Sequence, residues 1–130
     1  MNMFPAWWDD IRYFKPSEFD SPDEQGSGAE NMKEDFVRLL DELRSLIGKP
    51  VIVTSGFRTA TLNSEIGGAP RSKHLGGMAA DVKVKDRNEA IKMGIKAASV
   101  GFKGIGVYDR HVHLDLRDRK LPAVWFGKSK

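Results

Sequence analysis

Apolar residues recur at three- and four-residue intervals between Asn31 and Ile47: Met32, Phe36, Leu39, Leu40, Leu43, Leu46 and Ile47. That spacing lines one side of a helix and predicts an amphipathic helix over 31–47. Asn31 is placed to cap its start, and Gly48 followed by Pro50 to stop it. The period then changes. VIVTSG, residues 51–56, reads as a short buried strand. In AADVKV, Ala80, Val82 and Val84 fall on one side, and Asp81, Lys83 and the following Lys85 on the other. RNEAIKMGIKAASVG returns to a helix closed by Gly101. GIGVY and HVHLDLR read as two strands joined by a tight turn at Asp109 and Arg110. No internal repeat or linker interrupts this order. The expected fold is α+β, a small and mainly antiparallel sheet with two or three helices packed on it, in a single domain over 1–130.

Residues 1–30 break the periodicity. FKPSEFDSPDEQGSGAEN is rich in Pro, Gly, Ser and Asp and predicts an irregular N-terminal arm. Its aromatics, Phe4, Trp7, Trp8, Tyr13, Phe14 and Phe19, are expected to pin the arm to the body. Core packing is a stronger expectation for Trp7 and Trp8 than a carbohydrate platform. Asp20, Asp23 and Glu24 cluster, but without the spacing of an EF-hand calcium loop.

Composition removes several classes of function. The 130 residues contain no cysteine, which excludes disulfide scaffolds, Cys-based zinc fingers and thiol nucleophiles. The net charge of +3 suits an anionic polymer, whether nucleic acid or cell wall. No Lys/Arg block interleaved with aromatics is present, so nucleic acid is not an expected partner. The opening MNMFPAWWDDIRYF lacks a basic stretch followed by a long apolar run, so no Sec signal peptide is expected. No apolar stretch is long enough to span a membrane.

Chemistry concentrates in HVHLDLR. Strand alternation points Val112, Leu114 and Leu116 to the core, and His111, His113, Asp115 and Arg117 to the opposite side. A merely solvated strand would carry Thr, Lys or Glu there. The remaining histidine, His74, lies in the loop RSKHLGGMAADV, seven residues before Asp81. If Asp81 and His113 share one side of one sheet, His74, Asp81 and His113 can converge, placing a metal site on the exposed sheet face. Two imidazoles and one carboxylate leave a fourth position for water, the form of a catalytic rather than a structural zinc site. Non-haem iron uses the same ligand types, normally as a short His-x-Asp/Glu pair plus a distant His. The seven-residue separation disfavours iron.

These residues carry a resemblance. SGFRTATLNSEIGGAPRSKHLGGMAADV followed by GIGVYDRHVHLDLR resembles the zinc peptidases of family M15, the D-alanyl-D-alanine carboxypeptidase group. The likeness is to its short single-domain phage and bacterial branch, whose leading segment YFKPSEFDSPD also resembles. It spans about residues 12–118 and rests on Ser55 to Thr59, then Ser72, His74, Gly77, Ala79 and Asp81, then His113 and Asp115. The resemblance implies Zn²⁺ held by His74, Asp81 and His113, and cleavage of peptides in bacterial peptidoglycan. Arg58 matches the family arginine that neutralises the substrate carbonyl or carboxylate near the metal. Ser72 matches a residue that contacts substrate, though it could equally cap the loop. Asn63 and Gly67-Gly68 are expected to shape that loop, and Gly76-Gly77 to allow the turn back to Asp81.

For the general base, His111 ranks first, since it shares the side of His113 and titrates in a suitable range. Asp115 ranks second, with orientation of a ligand or of Arg117 as its alternative role. Asp109 ranks third. The expected function is hydrolysis of stem peptides or cross-bridges, as a carboxypeptidase or an endolysin-like endopeptidase. The competing expectation is a non-catalytic, zinc-containing phage structural or cell-wall-binding module. The expected partner is peptidoglycan peptide and the expected state a monomer. Synthesis is expected in the cytoplasm, with action on the wall after lysis, separate export or delivery on a phage particle.

Overall fold

The computed structural model describes residues 4–129, so the first three residues of the arm and the last of the chain lie outside the described residues. Two 3₁₀ turns, Ala6–Asp10 and Pro16–Phe19, lead into α1 (Ser27–Asn31) and α2 (Glu34–Ile47). Strand β1 (Val53–Ser55), α3 (Ala60–Glu65) and a 3₁₀ turn at Lys73–Gly76 precede β2 (Ala79–Lys83). Helix α4 (Arg87–Val100) then leads to β3 (Gly104–Val107), β4 (His111–Asp115) and β5 (Ala123–Phe126). The sheet order is β1-β2-β4-β3-β5, with every pair antiparallel except β3 and β5. This is the expected α+β architecture. The short α1 and α3 and the edge strand β5 add to it.

One side of the sheet is the core. Ala80, Val82, Val84, Val112 and Leu114 are buried there with Ile105. Helix α4 lies against β3 and β4, and α2 lies against α4. Phe36 of α2 meets Phe102 edge-on at 5.7 Å between ring centres. Leu40 and Leu43 are fully buried, whereas Leu46 is exposed. The expected helix over 31–47 therefore starts later. Asn31 closes α1 and donates its side-chain amide to the Ser27 carbonyl at 2.8 Å instead of capping α2. Met32 is extended (φ −69°, ψ 140°), and Lys33 donates its backbone N–H to the Gly77 carbonyl at 3.0 Å. That tertiary bond, with burial of Met32, ends one helix and begins another inside a continuous apolar pattern.

The segment expected as a buried strand at 51–56 is an edge. Val51 is buried, Ile52 is exposed, and the register with β2 shifts between Val53 and Ser55. In the arm, Trp8, Phe14 and Phe19 are buried, and Trp7 packs against the core with its ring 4.4 Å from that of Trp8. The Trp8 indole donates to the Ala29 carbonyl at 2.9 Å. Phe4 and Tyr13 stay exposed, and Tyr13 lies under the Arg44 guanidinium at 4.3 Å. Buried Asp41 accepts the backbone N–H groups of Arg12 and Tyr13 at 3.1 and 3.0 Å, fastening the arm to α2.

Candidate metal centre

The side of the sheet away from the core forms the floor of a cleft of about 900 Å³. Asp81 of β2 and His113 of β4 are direct antiparallel partners, so their side chains leave the sheet side by side. His74 reaches them from the 3₁₀ turn. Ser72 Oγ accepts the His74 N–H at 3.2 Å to open that turn, and Gly77 closes it at φ +70°. Gly77 lies so close to the Asn31 carbonyl that a Cβ there would collide with it. The expectation for Gly76-Gly77 therefore resolves onto Gly77, since Gly76 faces open space.

Each of the three side chains offers one donor atom, and these atoms lie within 4.8 Å of one another. His74 Nε2 is 3.5 Å from Asp81 Oδ1, and His113 Nδ1 is 3.1 Å from the same oxygen. His74 is almost fully buried, and its Nδ1 donates to the Gly56 carbonyl at 2.7 Å. That bond leaves the lone pair on Nε2. Nε2 is itself buried and makes no hydrogen bond among the described residues. Buried polar atoms are nearly always satisfied. An orphaned imidazole nitrogen facing a carboxylate and a second imidazole fits a cation-binding site. His113 is prepared in the same way, since its Nε2 donates to Asp115 Oδ2 at 2.7 Å and leaves Nδ1 for the cluster.

The carboxylates respond to this arrangement. Burial would raise the Asp81 pKa, but the hydrogen bond with His113 and the closeness of the His74 and His113 imidazoles outweigh it and hold the group well below the carboxylate range. For His113, burial works downward, and the hydrogen bonds to Asp115 and Asp81 overcome it and raise the pKa. Asp115 is fully buried, and burial pushes it upward. The Arg117 guanidinium grips both of its oxygens at 2.8 and 2.6 Å and, with His113, brings it down to about 2.

The remaining sequence-derived candidates divide. Arg58 lines the cleft, with Nη2 3.5 Å from Asp81 Oδ2, Nη1 3.3 Å from Asn63 Oδ1 and Nε 3.3 Å from Ser55 Oγ. Its backbone N–H donates to the His74 carbonyl at 3.1 Å, tying arginine and histidine together. Buried Asn63 donates to the Ala69 carbonyl at 2.9 Å and leaves no room for a Cβ at Gly68. His111 lines the cleft, stacked on Tyr108 at 4.2 Å, and burial lowers its pKa. Asp109 does not line the cleft, and its carboxylate accepts the Ser129 N–H at 2.6 Å. Two carboxylates of the arm's acidic group serve local hydrogen bonds. Asp20 accepts from Gly26 and Gly28, and Asp23 from the Ser21 and Thr59 hydroxyls.

Sequence reasoning missed the far wall of the cleft, formed by Tyr108, Trp125, Lys128 and Ser129. A signal existed in GIGVY. Gly104 and Gly106 pair with Asp115 and His113, on the cleft side of β3. A Cβ on Gly104 would enter the Asp115 carboxylate, and one on Gly106 would strike the rings of Trp125 and Tyr108. Alternating glycines in a strand mark close approach.

Comparison with known proteins decides the family. The family described as Peptidase M15 matches residues 12–115. The chain belongs to the M15 peptidase family. A stretch of 44 residues is 48% identical to the zinc D-Ala-D-Ala carboxypeptidase of Streptomyces albus G, covering 33% of this chain and 17% of that protein. This M15 chain thus spans about a sixth of the length of the curated relative it matches (17%). Its cofactor is zinc, and the His/Asp/His group has the composition to hold it.

The network sets a pH dependence for metal. A histidine with a raised pKa adds stability in full below its unfolded value and loses it as pH climbs through the folded value. Carboxylates held low add stability above their unfolded value and lose it as pH falls. In the zinc-free protein, His113, Asp81 and Asp115 therefore contribute fully between about pH 4 and about pH 6.5. Zinc requires the deprotonated imidazole. The rise in Tm on adding zinc should grow from about pH 6 to about pH 8. Calorimetry of chelated and zinc-loaded protein checks this, and an increment that stays level or shrinks contradicts it.

Proposed function

We propose that this chain is a zinc metallopeptidase that hydrolyses peptide bonds in bacterial peptidoglycan stem peptides or cross-bridges. The observation that carries the reading is the orphaned Nε2 of His74, facing Asp81 and His113 on the floor of a cleft that also holds Arg58. His74, Asp81 and His113 would hold zinc, which when bound supplies a Lewis acid for a carbonyl oxygen and lowers the pKa of water.

The chain's own groups supply the rest. Arg58 directs a fixed guanidinium into the cleft, where it steadies negative charge developing on the oxygen of the attacked carbonyl. His111, neutral near pH 7, accepts the proton of the attacking water and returns it to the leaving amine. Asp115 orients His113 rather than acting as base, because both of its oxygens are engaged by Arg117 and His113. Ser72 keeps its hydroxyl proton for substrate while its oxygen holds the His74 turn. The ring of Arg71, Lys73, Arg110 and Lys128 around the cleft attracts the carboxylates of stem peptides.

Digestion of purified sacculi, followed by mass analysis of the products, tests the activity and separates its forms. Loss of terminal alanine denotes a carboxypeptidase, and cleaved cross-bridges an endopeptidase. Sacculi bound without release of new amino groups would replace the enzyme with a wall-binding module. Arg58→Ala should keep its zinc and lose about 10²–10³ in turnover. Zinc lost together with activity would make Arg58 a structural group.

A further inference from the structure

His111 is held on two sides by residues that neither its strand nor the matched family segment supplies alone. Tyr108, at the start of the β3–β4 turn, lies parallel to its ring at 4.2 Å and 14°. At the ring edge, His111 Nδ1 is 2.7 Å from Ser129 Oγ. Ser129 is fixed in turn. Its backbone N–H donates to Asp109 Oδ1 at 2.6 Å, and its Oγ accepts the Arg110 N–H at 3.1 Å. The segment before it is anchored as well. Gly127 donates to the Val107 carbonyl at 3.0 Å, and Arg87 Nη2 from α4 donates to the Gly127 carbonyl at 2.8 Å. Trp125 Nε1 donates to the Tyr108 hydroxyl at 3.1 Å, so β5 also fixes the ring on which His111 stacks. Strand β5 and Ser129 both lie outside the residues matched by the family, 12–115.

We infer that Ser129 is a positioning residue for the proton-transfer step, which holds His111 in one tautomer and one ring orientation. A hydroxyl oxygen has two lone pairs. One accepts the Arg110 N–H, and the other is placed to accept a hydrogen bond from a protonated His111 Nδ1. With the proton on Nδ1, the lone pair sits on Nε2, the one ring nitrogen left to accept a proton. Without the hydroxyl, the ring exchanges between tautomers, and only part of the population is competent. The inference rests on the reading of His111 as the proton acceptor.

The test compares Ser129→Ala, Ser129→Thr and His111→Ala, each zinc-loaded. Ser129→Ala should keep full zinc and an unchanged KM for a stem peptide. Its kcat should fall about three- to tenfold, the scale of one ordinary hydrogen bond. Ser129→Thr, which restores the hydroxyl, should recover most of that loss. In ¹⁵N NMR of the zinc-loaded protein, His111 should show a protonated Nδ1 and a bare Nε2, and Ser129→Ala should show averaged signals. An unchanged kcat in Ser129→Ala beside an inactive His111→Ala overturns this inference and leaves the parent reading intact. A bare Nδ1 in the unaltered protein, or a Ser129→Thr no better than Ser129→Ala, also overturns it. Full turnover in His111→Ala overturns the parent reading itself.

Discussion

Replacing His74 with alanine is expected to strip zinc from the protein and to reduce peptide hydrolysis to background. His74 is the most deeply buried of the three donors, and its geometry is the most constrained. Its Nδ1 is committed to the Gly56 carbonyl, so Nε2 has a single available use. In zinc-free protein that nitrogen forfeits about 1–3 kcal/mol as a buried polar atom without a partner. Bound metal recovers that loss, and alanine removes both the donor and the reason for the site. Two ligands on β2 and β4 would remain, and two do not complete a zinc site of this type. Elemental analysis after gel filtration measures the metal, and stem-peptide cleavage measures turnover. Because the ring also fills buried space, Asp81→Asn provides a second variant of nearly unchanged shape, and it should lose zinc as well. Stoichiometric zinc and normal turnover in both variants would remove the cluster from the mechanism.

The parts of this molecule that were legible from the chain alone are those governed by a local period. Alternation in HVHLDLR placed Val112 and Leu114 in the core and His111, His113, Asp115 and Arg117 on the other side, and the fold has that division. Helices α2 and α4 followed from three-four spacing and from the glycines that end them, Gly48 and Gly101. What alternation cannot carry is which strand lies beside which. The register Asp81 opposite His113 arises from pairing β2 with β4 across the intervening residues 84–110, which include α4. The resemblance to a family, rather than periodicity, supplied that juxtaposition.

The misses share a different cause. The break at Met32 is made by a tertiary hydrogen bond from Lys33 to Gly77, invisible to a helix period that runs unbroken through it. Strand β5 has four residues, pairs parallel to β3 and lies at the sheet edge, so Ala123 to Phe126 show neither a turn-bounded hairpin nor a long alternation. With β5 went Trp125 and Ser129, and so the far wall of the cleft. Asp109 ranked as a candidate base only while its partner was unknown. Once Ser129 folds back over the β3–β4 turn, the Asp109 carboxylate is engaged and pulled below its ordinary pKa by the Ser129 N–H.

Replacing His111 with alanine is expected to leave zinc in place and to lower turnover by about 10²–10⁴, the usual range for removal of a general acid–base group. The expectation rests on placement. His111 leaves β4 on the same side as His113, two residues away, but it is not a member of the group of converging donors. Its Nδ1 is held by Ser129 and its face by Tyr108, which leaves one nitrogen for chemistry. Among the other titratable candidates, Asp115 is closed off by Arg117 and His113, and Asp109 stands outside the cleft. A fourth-ligand role makes the opposite pair of statements: zinc would leave with the ring, and the unaltered protein would hydrolyse almost nothing, since a closed site has no position for water. Zinc content and stem-peptide cleavage, measured on one preparation, separate the two roles. Substrate binding should hold steady, with the loss in kcat rather than KM, because the ring is needed only when the proton moves. If zinc and turnover both survive the substitution, neither role stands, and Asp115→Asn becomes the next variant to measure.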